Sequence, residues 1–265
     1  MSRTAKISPS RWALHIFSVL VLLALIAPIL IIVTVSFGSS SILEFPPHGL
    51  SLRWYEAYLG DPLWRTATAI SVEAGTLTAV VSLVMGFAIS LALVRYRFPG
   101  KEALRVFLMS PLVVPKIIIA IGLYFLYVQL RIFGSLFGLV MAHSLIAVPY
   151  VVMILTAALF GFDRRLEWAA QTLGAHPLRA FWTVTLPNIK PALLSAALFA
   201  FIASFDDIIL SLFLTKLSAP TLPRQIWVNV QQIIDPTIAA VSTVMTMTSV
   251  AGLSVVALIQ RRSAR

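Results

Sequence analysis

Long apolar runs alternate with short polar segments along almost the whole chain, and this alternation constrains the fold more than any other feature of the sequence. About 20 apolar residues in a helix cross the ~30 Å hydrocarbon core of a bilayer. Inside that core the backbone must satisfy its own hydrogen bonds, which favours helices. We therefore predict an all-α integral membrane protein with six transmembrane helices, at residues 13–37, 66–94, 106–129, 136–160, 192–215 and 237–259.

The composition supports this class and excludes others. Of the 265 residues, 59% are hydrophobic and 11% are charged, unlike an ordinary soluble domain. There is no cysteine, and the four histidines lack metal-ligand spacing, so we expect neither a disulfide nor a metal site. The sequence also lacks a phosphate-binding loop, and we expect no ATP hydrolysis, catalytic site or cofactor in this chain. Basic stripes with interleaved aromatic residues are absent, which argues against nucleic acid as a partner.

The net charge of +10 is better explained by orientation in a membrane. Fourteen of the 20 lysines and arginines fall in residues 1–12, 95–105, 164–191 and 260–265. Under the positive-inside rule these segments lie in the cytoplasm. We predict a cytoplasmic amino-terminal segment at residues 1–12 and a single transmembrane domain over residues 13–265, with both termini in the cytoplasm.

The charged segment Arg164–Pro191, called the 164–191 segment below, interrupts two apolar runs. Leu166–Leu173 places apolar residues on one helical stripe, and Gly174 permits a turn. We expect a second short helix to begin at Pro177. Leu186–Pro187 is expected to end it, because proline removes a donor and restricts the residue before it.

This segment resembles the EAA loop of permease subunits in bacterial ABC importers. That pattern is Glu-Ala-Ala, three residues, Gly, nine residues, Ile, one residue and Leu-Pro. The residues in register here are Ala169, Ala170, Gly174, Leu186 and Pro187. Val184 replaces the isoleucine, and Glu167 stands one residue before the usual glutamate position, which Trp168 occupies.

The resemblance implies the six-helix fold of type I ABC importer permeases in the bacterial inner membrane, surrounded by lipid. It implies that Glu167 and the in-register residues form a coupling helix, which docks on an ATPase. The implied partners are a second homologous permease, expected to be a different chain, two ATPase subunits that bind ATP and Mg, and a periplasmic substrate-binding protein.

Asp206 and Asp207 lie about 15 residues into the fifth predicted span, and ionisable residues within a span are functional candidates. Adjacent helical positions point about 100° apart, so we expect one aspartate to line a pathway and the other to contact a neighbouring helix or backbone donor. Alternatively, both act only as packing contacts or as caps at a broken helix. The stretch Ser204–Asp207, with Leu222–Pro223 and Asp235–Thr237 downstream, resembles the spermidine/putrescine branch of these permeases, which implies a small amine-containing solute of the polyamine type.

Lys116 lies near the middle of the third predicted span, where permeases resembling this one tend to carry an acidic residue. A lysine that faces the pathway would repel a dication and favour an opine, an amino acid or an aminophosphonate. Alternatively, Lys116 pairs with Glu73 or one of the aspartates, or extends its ammonium group to water. Pro111 and Pro115 predict a kink in the same span.

His143, like Glu73, is expected to form a hydrogen bond with a neighbouring helix rather than with a ligand.

Two other classes of function fit the sequence less well. An ion-coupled secondary transporter would show internal repeats with paired broken helices, and no clear repeat relates the two halves of the sequence. An integral-membrane enzyme would need clustered histidines or carboxylates at one membrane face, which the sequence lacks.

Overall fold

A computed structural model describes residues 9–232 and 235–263, and most of this part of the chain is helical. Most of the predicted amino-terminal segment 1–12 and the last two residues of the basic carboxyl end lie outside the described residues. The helices are α1 (Pro9–Ser36), α2 (Arg53–Gly60), α3 (Pro62–Arg95), α4 (Lys101–Val113), α5 (Lys116–Gln129), α6 (Leu136–Gly161), α7 (Arg165–Thr172), α8 (Pro177–Ala180), α9 (Leu186–Phe205), α10 (Ile209–Leu214), α11 (Leu222–Gln232) and α12 (Thr237–Ser263). A π-helical turn, Phe181–Thr185, joins α8 to α9.

The chain forms two compact units, and the first comprises the residues up to Asp61 together with Asn229–Thr246. In this unit α2 packs against the end of α1. The indole nitrogen of Trp54 donates a hydrogen bond of 3.0 Å to the Gly38 carbonyl, and the Tyr55 hydroxyl lies 2.7 Å from that of Ser36. The most apolar stretch of α1 is not buried by the rest of the chain, as expected for a helix whose surface is covered by lipid.

The second unit comprises Pro62–Val228 and the chain from Met247 onwards, and its core is formed by α3, α6 and α9. Small side chains allow helices to approach closely in a membrane. A Cβ added to Gly86 of α3 would lie 2.5 Å from Val151 of α6, and one added to Gly75 would lie 2.9 Å from the Phe201 ring of α9. The small buried residues along α3 are Ala67, Ser71, Ala74, Gly75, Thr78, Ser82, Gly86 and Ser90.

Among the described residues, five helical segments are long and apolar enough to cross a membrane: Leu14–Ser36, Pro62–Arg95, Leu136–Gly161, Pro177–Phe205 and Thr237–Ile259. This confirms a multi-pass helical membrane protein. The predicted third span is instead divided between α4 and α5, which together are apolar enough but meet at an angle of 100°.

The bend between α4 and α5 is much sharper than the kink expected from the sequence, and α4 begins at Lys101, inside the basic segment 95–105. Pro111 lies within α4. Pro115 immediately precedes α5, and Val114 before it is extended, with a ψ of 130°. A proline disfavours the helical conformation of its preceding residue, which explains why the break falls at residues 114 and 115.

The continuous helix that includes α9 begins earlier and ends earlier than the predicted fifth span at residues 192–215. Leu186–Pro187 does not end a helix, because α8, the π-helical turn and α9 run on continuously from Pro177 to Phe205. Pro187 stands in the first turn of α9, where the π-helical turn has already shifted the hydrogen-bonding pattern and a missing donor is tolerated. At the other end, α9 stops at Phe205, well before the predicted limit at residue 215.

Candidate functional site

The chain breaks between α9 and α10 at the two aspartates, and the break gives them opposite environments. Asp206 directly follows the last residue of α9 and is exposed, whereas Asp207 is buried. The Oδ1 atom of Asp207 accepts a hydrogen bond of 2.7 Å from the backbone N–H of Leu210 and thereby satisfies a free donor in the first turn of α10. The two adjacent carboxylates are therefore not equivalent.

Lys116, the first residue of α5, forms an ion pair with Asp207. Its Nζ atom lies 2.8 Å from Asp207 Oδ2. The Lys116 side chain is 42% exposed and that of Asp207 is 2% exposed, so the lysine is the accessible partner. Of the alternatives that the sequence left open, the structure therefore shows pairing with an aspartate, and Glu73 is exposed on α3 and takes no part in the pair.

His143 links two helices of the core next to this pair. Its Nδ1 atom lies 2.5 Å from the Ser204 hydroxyl, which joins α6 to the end of α9 and confirms the expected helix-to-helix bond. Both side chains are buried. The other ring nitrogen, Nε2, has no hydrogen-bond partner among the described residues.

The 164–191 segment consists of two short helices around a glycine turn, followed by the π-helical turn. Gly174 has a φ of 90°, which an L side chain rarely adopts, so the predicted role of this glycine in a turn is confirmed. Ala169, Gly174 and Pro187 are exposed, while Ala170 and Leu186 are half-buried. The large apolar side chains that the segment exposes are Leu166, Trp168, Leu173, Leu178 and Trp182.

Glu167 differs from its neighbours on α7 because it is buried. Its Oε1 atom lies 2.6 Å from a guanidinium nitrogen of Arg95, the last residue of α3. The same oxygen accepts a hydrogen bond from the Thr185 hydroxyl of the π-helical turn. We call Arg95, Glu167 and Thr185 the α7 cluster; it joins α7 to α3 and to the start of α9.

Sequence reasoning did not identify Arg95 or Thr185 as functional candidates. Arg95 begins the basic segment 95–105, directly after an apolar run, and this position indicates the edge of a span rather than a functional site. No spacing rule connects it with Glu167, which lies 72 residues further along the chain. The one available signal was a glutamate one position out of register in a helix with apolar residues on both sides of it.

Sequence comparison assigns this membrane protein to a class. Residues 82–264 match the family model described as the inner membrane component of binding-protein-dependent transport systems, and the chain belongs to this family. It is 33% identical over 228 residues to the putrescine transport system permease protein PotI of Escherichia coli K12, covering 83% of this chain and 81% of that protein. It is 32% identical over 236 residues to the spermidine/putrescine transport system permease protein PotC of Haemophilus influenzae, covering 89% and 91% of the two chains.

Solved structures of ABC transporters contain chains with the same fold as this one. A chain in the crystal structure of a bacterial ABC transporter that imports the acidic polysaccharide alginate superposes with a TM-score of 0.72 at 17% identity, covering 98% of this chain and 99% of that one. A second structure of an alginate ABC transporter, in complex with an alginate-bound periplasmic protein, also gives 0.72 at 13% identity, covering 95% and 93%.

The chain is thus a permease subunit of an ABC importer, a transport component that works with a separate ATPase subunit. This membership sets aside the alternatives of an ion-coupled secondary transporter and a membrane enzyme.

Proposed function

We propose that this chain pairs with a second homologous permease and forms one half of a pathway for a small amine-containing solute. A periplasmic binding protein would deliver the solute to the outer face of the bacterial inner membrane. The observation that carries this proposal is the identity of about one residue in three to polyamine permeases over more than four-fifths of the chain. The break between α9 and α10 supports it, since it brings charged side chains into an apolar unit.

In the proposed topology, α4 and α5 together form one broken span, which gives six spans in all. Both termini and the 164–191 segment then lie in the cytoplasm, on the side favoured by the lysine and arginine distribution. Residues 38–61, which include α2, lie on the outer side.

The 164–191 segment acts as the coupling element in this proposal. Its exposed apolar side chains, with Ala169, Gly174 and Pro187, would dock on an ATPase subunit that binds ATP and Mg. The buried Glu167 would act as a positioning residue, because the α7 cluster fixes α7 to α3 and to the start of α9. Ala170 and Leu186, which are half-buried, would complete the packing behind the docking surface.

The mechanism that follows is alternating access. ATP binding would close the ATPase dimer and draw the two coupling elements together, and the attached helices would then open the pathway outwards. Hydrolysis would reset it. The π-helical turn connects the docking surface directly to α9, so a displacement of α7 and α8 would reach the break at residues 206 and 207 along a continuous helix.

Two cargo classes remain candidates within this function. The relatives that transport putrescine and spermidine support a polyamine-type solute. The Lys116 side chain, which is the exposed partner of its ion pair, favours an opine, an amino acid or an aminophosphonate, each of which carries an anionic group beside its amine.

ATP hydrolysis by the reconstituted transporter tests the proposed function. The chain would be placed in proteoliposomes with its partner permease, ATPase subunits and binding protein, and hydrolysis and uptake would be measured across polyamines, opines, amino acids and aminophosphonates. We expect one of these amines to stimulate hydrolysis and to enter only when ATP is present on the ATPase side. Uptake that follows an ion gradient without ATP, or hydrolysis that no amine stimulates, would contradict the proposal.

A further inference from the structure

The accessible charge of the Lys116–Asp207 pair is the cation. Both carboxylate oxygens of Asp207 are already engaged, Oδ1 by the Leu210 N–H and Oδ2 by Lys116 Nζ. The Asp207 side chain is also 2% exposed. An incoming ammonium group would therefore have to displace a covalently tethered one from a buried acceptor.

Lys116 keeps unused binding capacity. An ammonium group has three N–H donors, and within the described residues the Nζ atom of Lys116 makes one hydrogen bond, to Asp207. A charged group in a membrane protein faces water or a polar partner, since contact with lipid is too unfavourable. The Lys116 side chain is 42% exposed, so its remaining donors can reach an anionic group in the pathway.

Asp206 supplies an opposite charge at the same junction. It is exposed and directly precedes Asp207 in the chain, at the break between α9 and α10. The neighbouring Asp207 is buried and fixes the position of the Lys116 ammonium group through their 2.8 Å contact. The accessible part of the junction then presents one positive and one negative group.

We propose that Lys116 is the specificity-determining residue of the pathway and that the transported solute carries an anionic group as well as an ammonium group. The carboxylate or phosphonate of the solute binds Lys116, and its ammonium group binds Asp206. A polyamine lacks the first interaction and meets a cation in its place. This inference rests on the proposed function and selects the amino-acid-like class of cargo within it.

Putrescine and ornithine are matched probes, because ornithine has the same diamine skeleton with an added carboxylate. Their binding would be measured from the thermal unfolding midpoint of the purified permease–ATPase complex in nanodiscs, without the binding protein, so that only the pathway discriminates between them. We expect ornithine to raise the midpoint with an apparent affinity at least about tenfold higher than that of putrescine, as a close charge pair allows. Putrescine binding as tightly as ornithine, or neither compound raising the midpoint at millimolar concentration, would overturn the inference.

Variants separate this role from a purely structural one. Lys116→Met alone would leave Asp207 buried without a partner and could prevent folding. The double variant Lys116→Met with Asp207→Asn avoids the buried charge and keeps an acceptor for the Leu210 N–H, and we expect it to assemble but to lose the preference for ornithine. Lys116→Arg should keep the preference, and so should the control Lys101→Met at the start of α4. A double variant that still prefers ornithine would refute the role of Lys116.

The outcome is distinguishable from failure of the proposed function. Assembly with the ATPase and ATP-driven uptake test the transporter itself and do not depend on which probe binds better. If the complex hydrolyses ATP in response to a polyamine, the proposed function stands and the inference about Lys116 fails.

Discussion

Two buried carboxylates in the second unit are each held by a basic residue that is distant in sequence. Arg95 forms an ion pair with Glu167, which lies 72 residues further along the chain, and Lys116 forms one with Asp207, 91 residues further along. A buried charge needs a partner with good geometry, and removing that partner is more destabilising than the pair itself is stabilising. Each pair therefore fixes the position of a functional element: the first that of α7, and the second that of the break before α10.

The Arg95–Glu167 pair predicts a specific defect in coupling. Arg95→Ala leaves Glu167 buried without its cation, and we expect it to destabilise the packing of α7 by about 3 kcal/mol. Amide hydrogen exchange over α7 and the π-helical turn should become faster. The reconstituted transporter should hydrolyse ATP with less solute moved per ATP.

Arg97→Ala is the matched control for this variant. Arg97 lies two residues further along, is exposed and forms no ion pair among the described residues. Its removal should leave both exchange and coupling unchanged. Equal behaviour of the two variants would show that the α7 cluster does not position α7.

The two aspartates predict different phenotypes although they are adjacent. Asp207→Ala removes the acceptor for the Leu210 N–H and leaves Lys116 unpaired, so we expect a smaller yield of assembled complex. Asp206→Ala changes an exposed residue and should assemble normally but transport more slowly. Size-exclusion chromatography and uptake measurements on the two variants would check this, and normal assembly with Asp207→Ala would contradict it.

At the scale of elements, close contact between α3 and α6 depends on a glycine. Gly86→Ala would place a Cβ atom 2.5 Å from Val151 Cγ1, and overpacking of this kind destabilises by about 1–3 kcal/mol. We expect a lower thermal unfolding midpoint, which the added substitution Val151→Ala should partly restore. Gly122→Ala on α5 is the control, because nothing lies within 4 Å of the added Cβ. A midpoint that falls equally with Gly122→Ala would show that loss of glycine, rather than the contact, is responsible.

The sequence predicts some elements well because the bilayer dictates their length. The run at residues 136–160 corresponds to α6 (Leu136–Gly161), and the run at residues 66–94 to α3 (Pro62–Arg95). Breaks within spans are harder to predict: Pro115 produces a 100° bend, whereas Pro187 and Pro111 are accommodated in helices. The difference lies in tertiary packing and in the local hydrogen-bonding pattern, which a proline alone does not reveal.

The candidate site could be predicted only in part for a related reason. An ionisable residue in an apolar run is visible in the sequence, and this is why Lys116 and both aspartates were identified. The sequence leaves the partner of Lys116 open among Glu73 and the two aspartates, because an ion pair over 91 residues depends on how α5 and α10 pack together. Which of these charged side chains is exposed and which is paired therefore has to be read from the structure.

At the scale of the whole molecule, the proposed topology puts the docking surface and the outer loop on opposite sides of the membrane. Leu173 in the 164–191 segment is 88% exposed, and Leu50 before α2 is 83% exposed. The first should meet a cytoplasmic ATPase and the second should not. This arrangement combines the proposed topology with the proposed coupling role.

Photo-crosslinking from single cysteines tests on which side of the membrane each position lies. The chain has no native cysteine, so Leu173→Cys and Leu50→Cys each create one unique attachment point for a thiol-reactive photo-crosslinker. In membranes that contain the assembled transporter, we predict a covalent adduct with the ATPase subunit from position 173 and none from position 50. An ATPase adduct from position 50, or none from position 173 in a complex that hydrolyses ATP, would contradict both the topology and the coupling role.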